Sequence, residues 1–296
     1  MTAHSRRLPA GRIAYVDGRY VPHGEAGVHI EDRGLQFADS IYEVCAVAGG
    51  HLLDEAGHFA RLERSLGEIG MAMPMPPRAL KTVMQETVRR NRVKDGVLYL
   101  QITRGATRRD HPIPERSQPT VIITARPLDM AAFAKRRAEG IAVMSRPDIR
   151  WGRCDIKSTG LLPNVLAKTA ARKNGAYEAW LVDKEGFVTE GTSTNAWIVT
   201  AEGRVVTRKL GNAILPGVTR ASVIHALAEA QLTVDERAFR LDEAYAAREA
   251  FITAATAGIV PVVKIDGREI GEGRPGPVAA RVHALYRAFA EHEARL

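Results

Sequence analysis

Hydrophobic and polar residues alternate along this chain in two periods, one typical of strands and the other of helices. Residues 13–21 alternate around Asp17-Gly18, a pair that favours a tight turn between two antiparallel strands. Apolar residues then recur every three or four positions up to Gly70, at Phe59, Leu62, Leu66 and Ile69. The chain is therefore predicted to open in a β-hairpin and to carry a helix that ends near Gly70.

The same patterns predict further strands and helices. A polar loop from Asp32 runs into the next strand, and the predicted strands cover residues 42–47, 97–103, 120–125, 141–145, 179–182, 187–190, 196–199 and 251–258. The predicted helices cover residues 77–91, 161–173 and 220–229, and a last one begins at Pro277. A length of 296 residues favours two domains or one large α/β unit. Residues 126–140 are interpreted as the connection between domains at 1–128 and 129–296.

One lysine differs from the others in its surroundings. Most lysines here have polar or charged neighbours, whereas Lys157 follows Ile156 and precedes small hydroxyl residues, Gly160 and a leucine pair. An amine in partly apolar surroundings loses its proton readily, and a neutral amine can form a Schiff base with a carbonyl compound. The alternative is an ordinary loop lysine at the end of a strand.

The loop between the strands predicted at 97–103 and 120–125 is a second candidate. It is longer than a hairpin needs and contains Arg109 and His111, and long loops on a rigid scaffold often carry function. An arginine can clamp a carboxylate by paired hydrogen bonds, and a nearby imidazole can add one more. A solvated basic loop is the alternative. Tyr42 is interpreted locally as a half-buried strand aromatic, and Arg61, which lies off the apolar stripe of its helix, as a solvated side chain.

Two later segments offer groups for a ring nitrogen and a phosphate. Glu190 ends a predicted strand, where its carboxylate can pair with a cationic ring nitrogen. Gly217, Val218 and Thr219 precede a predicted helix, and free N–H groups at a helix N-terminus favour a phosphate. Thr256 can supply a second phosphate contact. The alternatives are a turn glutamate and a simple helix-capping threonine.

Composition and charge narrow the function classes. The chain is 45% hydrophobic and 26% charged, as globular proteins are, and no apolar run is long enough to span a bilayer. The net charge of +8 favours anionic ligands, but the basic residues are mixed with acidic ones, so neither nucleic acid nor a membrane is expected as a partner. Cys45 and Cys154 lack the spacing of a metal site or a disulfide framework. The basic start, Met1–Arg7, has no apolar segment behind it, so no signal peptide is predicted and a cytoplasmic location is expected.

Five motifs follow one another along the chain: Asp32-Arg33-Gly34 with Gln36-Phe37 and Tyr42-Glu43-Val44; Arg109-Asp110-His111; Arg153-Cys154-Asp155-Ile156-Lys157-Ser158; Thr189-Glu190-Gly191; and Leu215-Pro216-Gly217-Val218-Thr219-Arg220. In this order they resemble the class IV aminotransferases, the fold-type IV family of pyridoxal-phosphate enzymes, and among these the D-amino acid transaminases. The resemblance covers nearly the whole chain. It implies a mixed α/β (α+β) fold with a small N-terminal α/β domain and a larger C-terminal pseudo-barrel domain that binds pyridoxal 5′-phosphate.

The resemblance also implies roles for individual residues. Lys157 is expected to be the Schiff-base lysine and to move the proton at the substrate Cα. Glu190 is expected to pair with the pyridinium nitrogen and to keep it protonated. The other residues expected to hold the cofactor are Arg61, Leu215, Val218, Thr219 and Thr256, with Leu215 packed on the ring and the rest at the phosphate. The resemblance thus overrules the local interpretation of Arg61 as solvated.

The substrate and the assembly follow from the same resemblance. Tyr42, Arg109 and His111 are expected to hold the α-carboxylate, with the Arg109 loop contributed by the neighbouring subunit of a homodimer. The implied reaction is ping-pong transfer of the amino group of a D-amino acid, such as D-alanine, to a 2-oxo acid, such as 2-oxoglutarate. A branched-chain L-amino acid or (R)-amine transaminase of the same fold is the main alternative, and a non-catalytic basic binding protein is a remote one. Departures from the family pattern at Leu35, Ser40 and Arg108 concern the preferred side chain more than the reaction.

Overall fold

The computed structural model describes residues 11–293, with side chains up to residue 290. The prediction about a signal peptide concerns residues outside this range. Contacts divide the chain into two units: the first runs to Leu128 and also includes Lys157–Gly160, and the second contains Asp129–Ile156 and continues from Leu161. Within residues 11–293, no helix is long and apolar enough to cross a membrane.

Helices and strands occur in both units, as the mixed α/β prediction requires. The helices are α1 (Arg33–Phe37), α2 (Glu55–Glu68), α3 (Pro77–Arg90), α4 (Met130–Glu139), α5 (Leu162–Lys173), α6 (Val218–Glu229), α7 (Leu241–Tyr245) and α8 (Pro277–Glu293). The strands are β1 (Ile13–Val16), β2 (Arg19–Pro22), β3 (Ser40–Ala48), β4 (His51–Leu52), β5 (Gly96–Thr103), β6 (Thr120–Pro127), β7 (Ile141–Pro147), β8 (Glu178–Val182), β9 (Val188–Gly191), β10 (Asn195–Val199), β11 (Val205–Thr207), β12 (Val234–Glu236), β13 (Glu249–Ala254), β14 (Gly258–Ile265) and β15 (Arg268–Glu269).

The first unit is built on a six-stranded antiparallel sheet in the order β2-β1-β6-β5-β3-β4. The predicted hairpin is confirmed, because β1 and β2 join at Asp17 and Gly18, whose φ angles of 43° and 85° lie in the left-handed region that tight hairpin turns use. Burial alternates along β3, so that Glu43 points into the core while Tyr42 is half-buried.

Two helices cover this sheet, α2 against β3 and α3 against β1 and β6. The predicted apolar stripe of α2 is confirmed by the burial of Leu62 and Leu66. The segment Lys157–Gly160 joins the first unit by hydrogen bonds to the start of β3: the Tyr42 N–H donates to the Lys157 carbonyl at 3.0 Å, and the Thr159 N–H donates to the Ser40 carbonyl at 3.2 Å. The lysine segment therefore lies beside Tyr42.

The second unit is built on a mixed sheet of nine strands, in the order β12-β11-β10-β13-β14-β7-β8-β9, with β15 added beside β14. The pairs β14–β7, β7–β8 and β11–β12 are parallel. Trp180 and Phe239 lie in one buried cluster of this unit, and Trp197 and Phe251 lie in another, which includes residues of α6 and α8. Buried aromatic residues thus hold both faces of the sheet against helices or loops.

Two short segments differ from the interpretation as loops. Residues from Arg33 to Phe37 form α1, because the Asp32 carboxylate accepts a hydrogen bond from the Gly34 N–H at 2.8 Å and caps the helix. The predicted connection contains α4, which Asp129 caps by accepting from the Ala132 N–H at 3.0 Å. Neither helix shows a long apolar stripe in the sequence, so periodicity missed both.

Candidate active site

The predicted Schiff-base residue, Lys157, lies next to Tyr42 in the first unit. Its Nζ atom is 4.2 Å from the centroid of the Tyr42 ring, and its side chain is half-buried. Its backbone N–H lies 3.5 Å from the Ser65 hydroxyl of α2. The structure therefore brings together the predicted lysine and one of the three predicted carboxylate ligands on a fixed backbone.

The local interpretation of Arg61 as a solvated side chain is wrong. Arg61 is 8% exposed, and its Nε and Nη2 atoms donate to the two carboxylate oxygens of Glu43 at 2.8 and 2.7 Å. The His58 Nδ1 atom lies 2.7 Å from the same carboxylate. Burial raises the pKa of Glu43, but the charge and hydrogen bonds of Arg61 and His58 outweigh burial and hold this pKa at about 2. Glu43 is therefore ionised, and it fixes the guanidinium of Arg61.

The second and third predicted carboxylate ligands, Arg109 and His111, are exposed on the loop between β5 and β6. Both lie against the ring of Phe37 at the end of α1: the Arg109 guanidinium carbon is 5.2 Å from the ring centroid, and the centroid of the His111 ring is 5.6 Å away. The sequence analysis assigned no role to Phe37 beyond membership of a motif. The structure shows that it is the surface on which the two cationic side chains rest.

In the second unit, Glu190 is almost fully buried at the end of β9. Its carboxylate accepts hydrogen bonds from the Asn195 amide at 3.0 Å and from the Leu215 N–H at 3.1 and 3.2 Å. The guanidinium of Arg150 donates a further, short hydrogen bond. The turn glutamate of the local interpretation is thus a buried carboxylate held by three partners, and it lies beside Leu215, which was predicted to pack on the same ring.

Sequence reasoning missed Arg150, although it begins the segment that leads to Lys157. Its guanidinium also donates to the Asp148 carboxylate at 2.7 and 2.9 Å and to the Ala213 carbonyl at 3.0 Å. Burial lowers the pKa of Arg150, but the hydrogen bonds and charges of Asp148 and Glu190 outweigh it and raise this pKa further above its ordinary value. A fully charged arginine therefore connects two buried carboxylates.

The predicted phosphate site lies at the N-terminus of α6. Gly217 occupies the N-cap position without a side-chain cap, and a Cβ atom there would come within 2.0 Å of the Asn195 side chain, so no larger residue fits. Thr219 is 2% exposed, and among the described residues its Oγ1 atom finds no hydrogen-bond partner. A buried hydroxyl without a partner, beside the free N–H groups of a helix start, suits a phosphate group.

The last predicted phosphate contact, Thr256, lies after the end of β13 and before β14, half-buried in a turn. The strand predicted at 251–258 therefore ends earlier than expected. Cys45 and Cys154, by contrast, are both buried and free. The second unit thus holds a buried carboxylate, an aliphatic side chain beside it and an uncapped helix start, which fits a phosphorylated ring whose nitrogen is protonated.

Comparison with known proteins places the chain in a family. The family model described as Amino-transferase class IV matches residues 40–265. The chain belongs to the class IV aminotransferases. It is 40% identical over 266 residues to the D-alanine aminotransferase of Bacillus licheniformis, covering 90% of this chain and 93% of that protein. It is 34% identical to the D-alanine aminotransferase of Staphylococcus haemolyticus, covering 94% of this chain and 97% of that protein.

Solved structures agree with this assignment. A branched-chain amino acid aminotransferase from T.th., solved with pyridoxamine 5′-phosphate, matches with a TM-score of 0.86 and 27% identity, covering 96% of each chain. The branched-chain aminotransferase of Thermoproteus uzoniensis with norvaline matches with a TM-score of 0.83 and 28% identity, again covering 96% of each chain. The predictions of the family, of a mixed α/β fold, of an aminotransferase and of pyridoxal 5′-phosphate as cofactor are confirmed. The role of each side chain stays a prediction.

Proposed function

We propose that this aminotransferase is a D-amino acid transaminase, which transfers the amino group of a D-amino acid such as D-alanine to a 2-oxo acid such as 2-oxoglutarate in a ping-pong reaction. The observation that carries the proposal is the loop of Arg109 and His111, whose cationic side chains rest together on Phe37. The 40% identity to a D-alanine aminotransferase supports the same substrate class.

The residues of the second unit would hold pyridoxal 5′-phosphate. The Thr219 hydroxyl and the start of α6, with Val218, would bind its phosphate, together with Thr256 and the guanidinium of Arg61. Leu215 would pack on its ring. Glu190 would hold a proton on the ring nitrogen, because a buried carboxylate favours the charged form of a nitrogen beside it. The bound cofactor supplies an electron sink for the electrons released at the substrate Cα.

Lys157 would attach the cofactor through its amine and would then move the proton at the substrate Cα. Tyr42, which lies against the Lys157 amine, would orient the substrate together with Arg109 and His111 by binding its α-carboxylate. Because the carboxylate is fixed, only one enantiomer presents its Cα–H to Lys157. The proposed preference for D-amino acids follows from this geometry.

A homodimer belongs to the proposal, with the loop of Arg109 and His111 serving the active site of the neighbouring subunit. Two features support a second copy as the partner. The loop side chains are exposed in the single chain. Helix α5 also carries an apolar stripe in which Leu162, Val165 and Leu166 are 68%, 54% and 56% exposed, and exposed apolar stripes of this kind are typical of protein interfaces. A cytoplasmic location is proposed as well.

The alternative within the family is a branched-chain L-amino acid or (R)-amine transaminase, which the structural likeness to branched-chain enzymes keeps open. Membership of an enzyme family sets aside the remote alternative of a non-catalytic basic binding protein. The test is the absorbance of the purified holoenzyme after addition of D-alanine, L-leucine or (R)-1-phenylethylamine in separate samples. Loss of the cofactor band with D-alanine alone is expected. Loss with L-leucine or the amine instead would show that the carboxylate ligands were wrongly assigned.

A further inference from the structure

We propose that Arg33 is a positioning residue for the loop that carries Arg109 and His111. Its side chain holds the backbone of the loop at Asp110 and His111, so that the two cationic side chains stay together on Phe37. This inference rests on the proposed function, because it assigns the loop to binding the substrate carboxylate.

The guanidinium of Arg33 uses three N–H groups in three directions. Its Nη1 atom donates to the Asp110 carbonyl at 2.7 Å, and its Nη2 atom donates to the His111 carbonyl at 3.2 Å. Its Nε atom donates to the Asp39 carboxylate at 2.8 Å. Arg33 is only 4% exposed, although the loop residues that it holds are exposed. Because the guanidinium is planar, the position of Asp39 sets the direction in which both loop carbonyls are held.

The anchor of this arrangement, Asp39, is itself fixed. Arg104, at the end of β5, donates from Nε to the same Asp39 oxygen at 2.7 Å and from Nη2 to the Ile69 carbonyl at 2.6 Å. Burial raises the pKa of Asp39, but the hydrogen bonds and charges of Arg104 and Arg33 outweigh it and keep this pKa below its ordinary value. The carboxylate is therefore ionised and ties Arg33 to the sheet.

Helix α1 joins this anchor to the surface on which the cations rest. Phe37 follows Arg33 by four residues, so both side chains lie on one face of the helix, and the Arg33 guanidinium carbon is 4.8 Å from the Phe37 ring centroid. The Arg109 guanidinium and the His111 ring approach the same ring. One short helix therefore holds the loop backbone through Arg33 and the loop side chains through Phe37.

The start of the loop is held separately, by the backbone. The Arg33 N–H donates to the Gly105 carbonyl at 3.0 Å, Asp32 pairs with Ala106, and the Thr103 hydroxyl donates to the Asp32 carboxylate at 2.8 Å. These contacts leave the entry of the loop in place when the Arg33 side chain is changed. A conservative substitution at Arg33 thus releases the residues around His111 without detaching the loop from the sheet.

The experiment compares Arg33→Lys with Arg104→Lys in the holoenzyme. A lysine at position 33 can still pair with Asp39, but its single ammonium group cannot also reach both loop carbonyls. Arg104 pairs with the same carboxylate and does not contact the loop carbonyls. The half-reaction with D-alanine is followed by the absorbance of the cofactor, which gives an apparent Kd and a limiting rate. For Arg33→Lys, we expect the Kd to rise about tenfold, as for the loss of a hydrogen bond from a charged group, while the limiting rate and the cofactor band are retained.

Three outcomes decide between the explanations. An unchanged Kd in Arg33→Lys, with a raised Kd in Arg109→Ala, would overturn the positioning role and leave the proposed function intact. An unchanged Kd in Arg109→Ala would instead contradict the carboxylate site itself. Equal effects in Arg33→Lys and Arg104→Lys would assign the change to the Asp39 cluster as a whole and overturn the inference. If Arg33→Lys does not fold, Phe37→Leu tests the same geometry, and it must raise the Kd for D-alanine without lowering the limiting rate.

Discussion

Arg150 and Glu190, forty positions apart in the sequence, form a buried ion pair in which the arginine also holds Asp148. The side chains of Arg150 and Glu190 are 7% and 6% exposed. The pair places a full positive charge beside the carboxylate that is proposed to serve the cofactor nitrogen. It also joins the end of β9 to the segment after β7, from which the chain continues towards Lys157.

Replacing Arg150 with methionine is expected to lower the free energy of unfolding by about 3–5 kcal/mol, because it removes the cation from two buried carboxylates. Urea unfolding of the cofactor-free protein measures this loss. Arg237→Met is the matched control, since Arg237 also bridges two carboxylates, Asp235 and Glu243, but is 39% exposed, and such pairs contribute about 1 kcal/mol or less. Equal losses in the two variants would show that burial does not strengthen the Arg150 network.

Thr219→Val tests the phosphate site without a large change in shape. The Thr219 hydroxyl is buried without a partner in the described protein, so its removal is expected to leave the stability of the cofactor-free protein unchanged or higher. The affinity for pyridoxal 5′-phosphate is expected to fall about tenfold or more, since a hydrogen bond to a charged group contributes about 1.5–3 kcal/mol. Thermal unfolding and a fluorescence titration with the cofactor measure the two effects.

Thr207→Val is the control for this substitution. Thr207 is equally buried, but its hydroxyl donates to the Ala196 carbonyl at 2.9 Å. This variant is expected to lose stability and to keep its affinity for the cofactor. The assignment of Thr219 would be wrong if its variant behaved in the same way as the control.

The strands and longer helices could be predicted from the sequence because their patterns are local. The turn at Asp17-Gly18 and the apolar stripe through Leu62 and Leu66 depend on neighbouring residues only, and both were confirmed. Helix α1 was missed because five residues are too few to show a helical period, and its cap at Asp32 cannot be distinguished from an ordinary polar loop residue.

The environments of the arginines could not be predicted in this way. Arg61 is buried because Glu43, eighteen residues earlier on a strand, neutralises it, and the periodicity of its own helix contains no trace of that partner. Arg33 and Arg150 likewise find their partners across long separations, at Asp110 and Glu190. The order of the motifs identified the family, but only coordinates show which buried charges hold each motif in place.

The stability of the first unit is expected to depend on pH through Glu43. Its pKa is about 2 in the folded protein against an ordinary value of 4.5, so the carboxylate pairing contributes fully above pH 4.5 and is lost as the pH falls towards 2. Glu43→Gln removes this titration and is expected to flatten the decline of the unfolding free energy between pH 5 and pH 3. Urea unfolding at several pH values measures the slope.

Glu86 provides a control for that slope. Its pKa is also lowered to about 2, chiefly by a hydrogen bond from Arg89 with help from Arg90, but it is exposed on α3. Solvent screening makes such a pair a weak contributor to stability, so Glu86→Gln should leave the slope nearly unchanged. A steeper effect for Glu86 than for Glu43 would contradict the importance assigned to the buried pair.

Lys157→Ala is expected to abolish amino transfer, because no other described lysine lies beside Tyr42. The readout that does not depend on activity is the bond to the cofactor. Borohydride treatment of the holoenzyme should fix the cofactor to the peptide that contains Lys157, detected by mass spectrometry, and should fix none in the variant. Lys173→Ala, on the exposed end of α5, should keep both the activity and the reducible bond. A cofactor that is still covalently fixed in Lys157→Ala would move the reactive amine to another lysine, and the carboxylate ligands proposed around Tyr42 would then have to be sought near that residue.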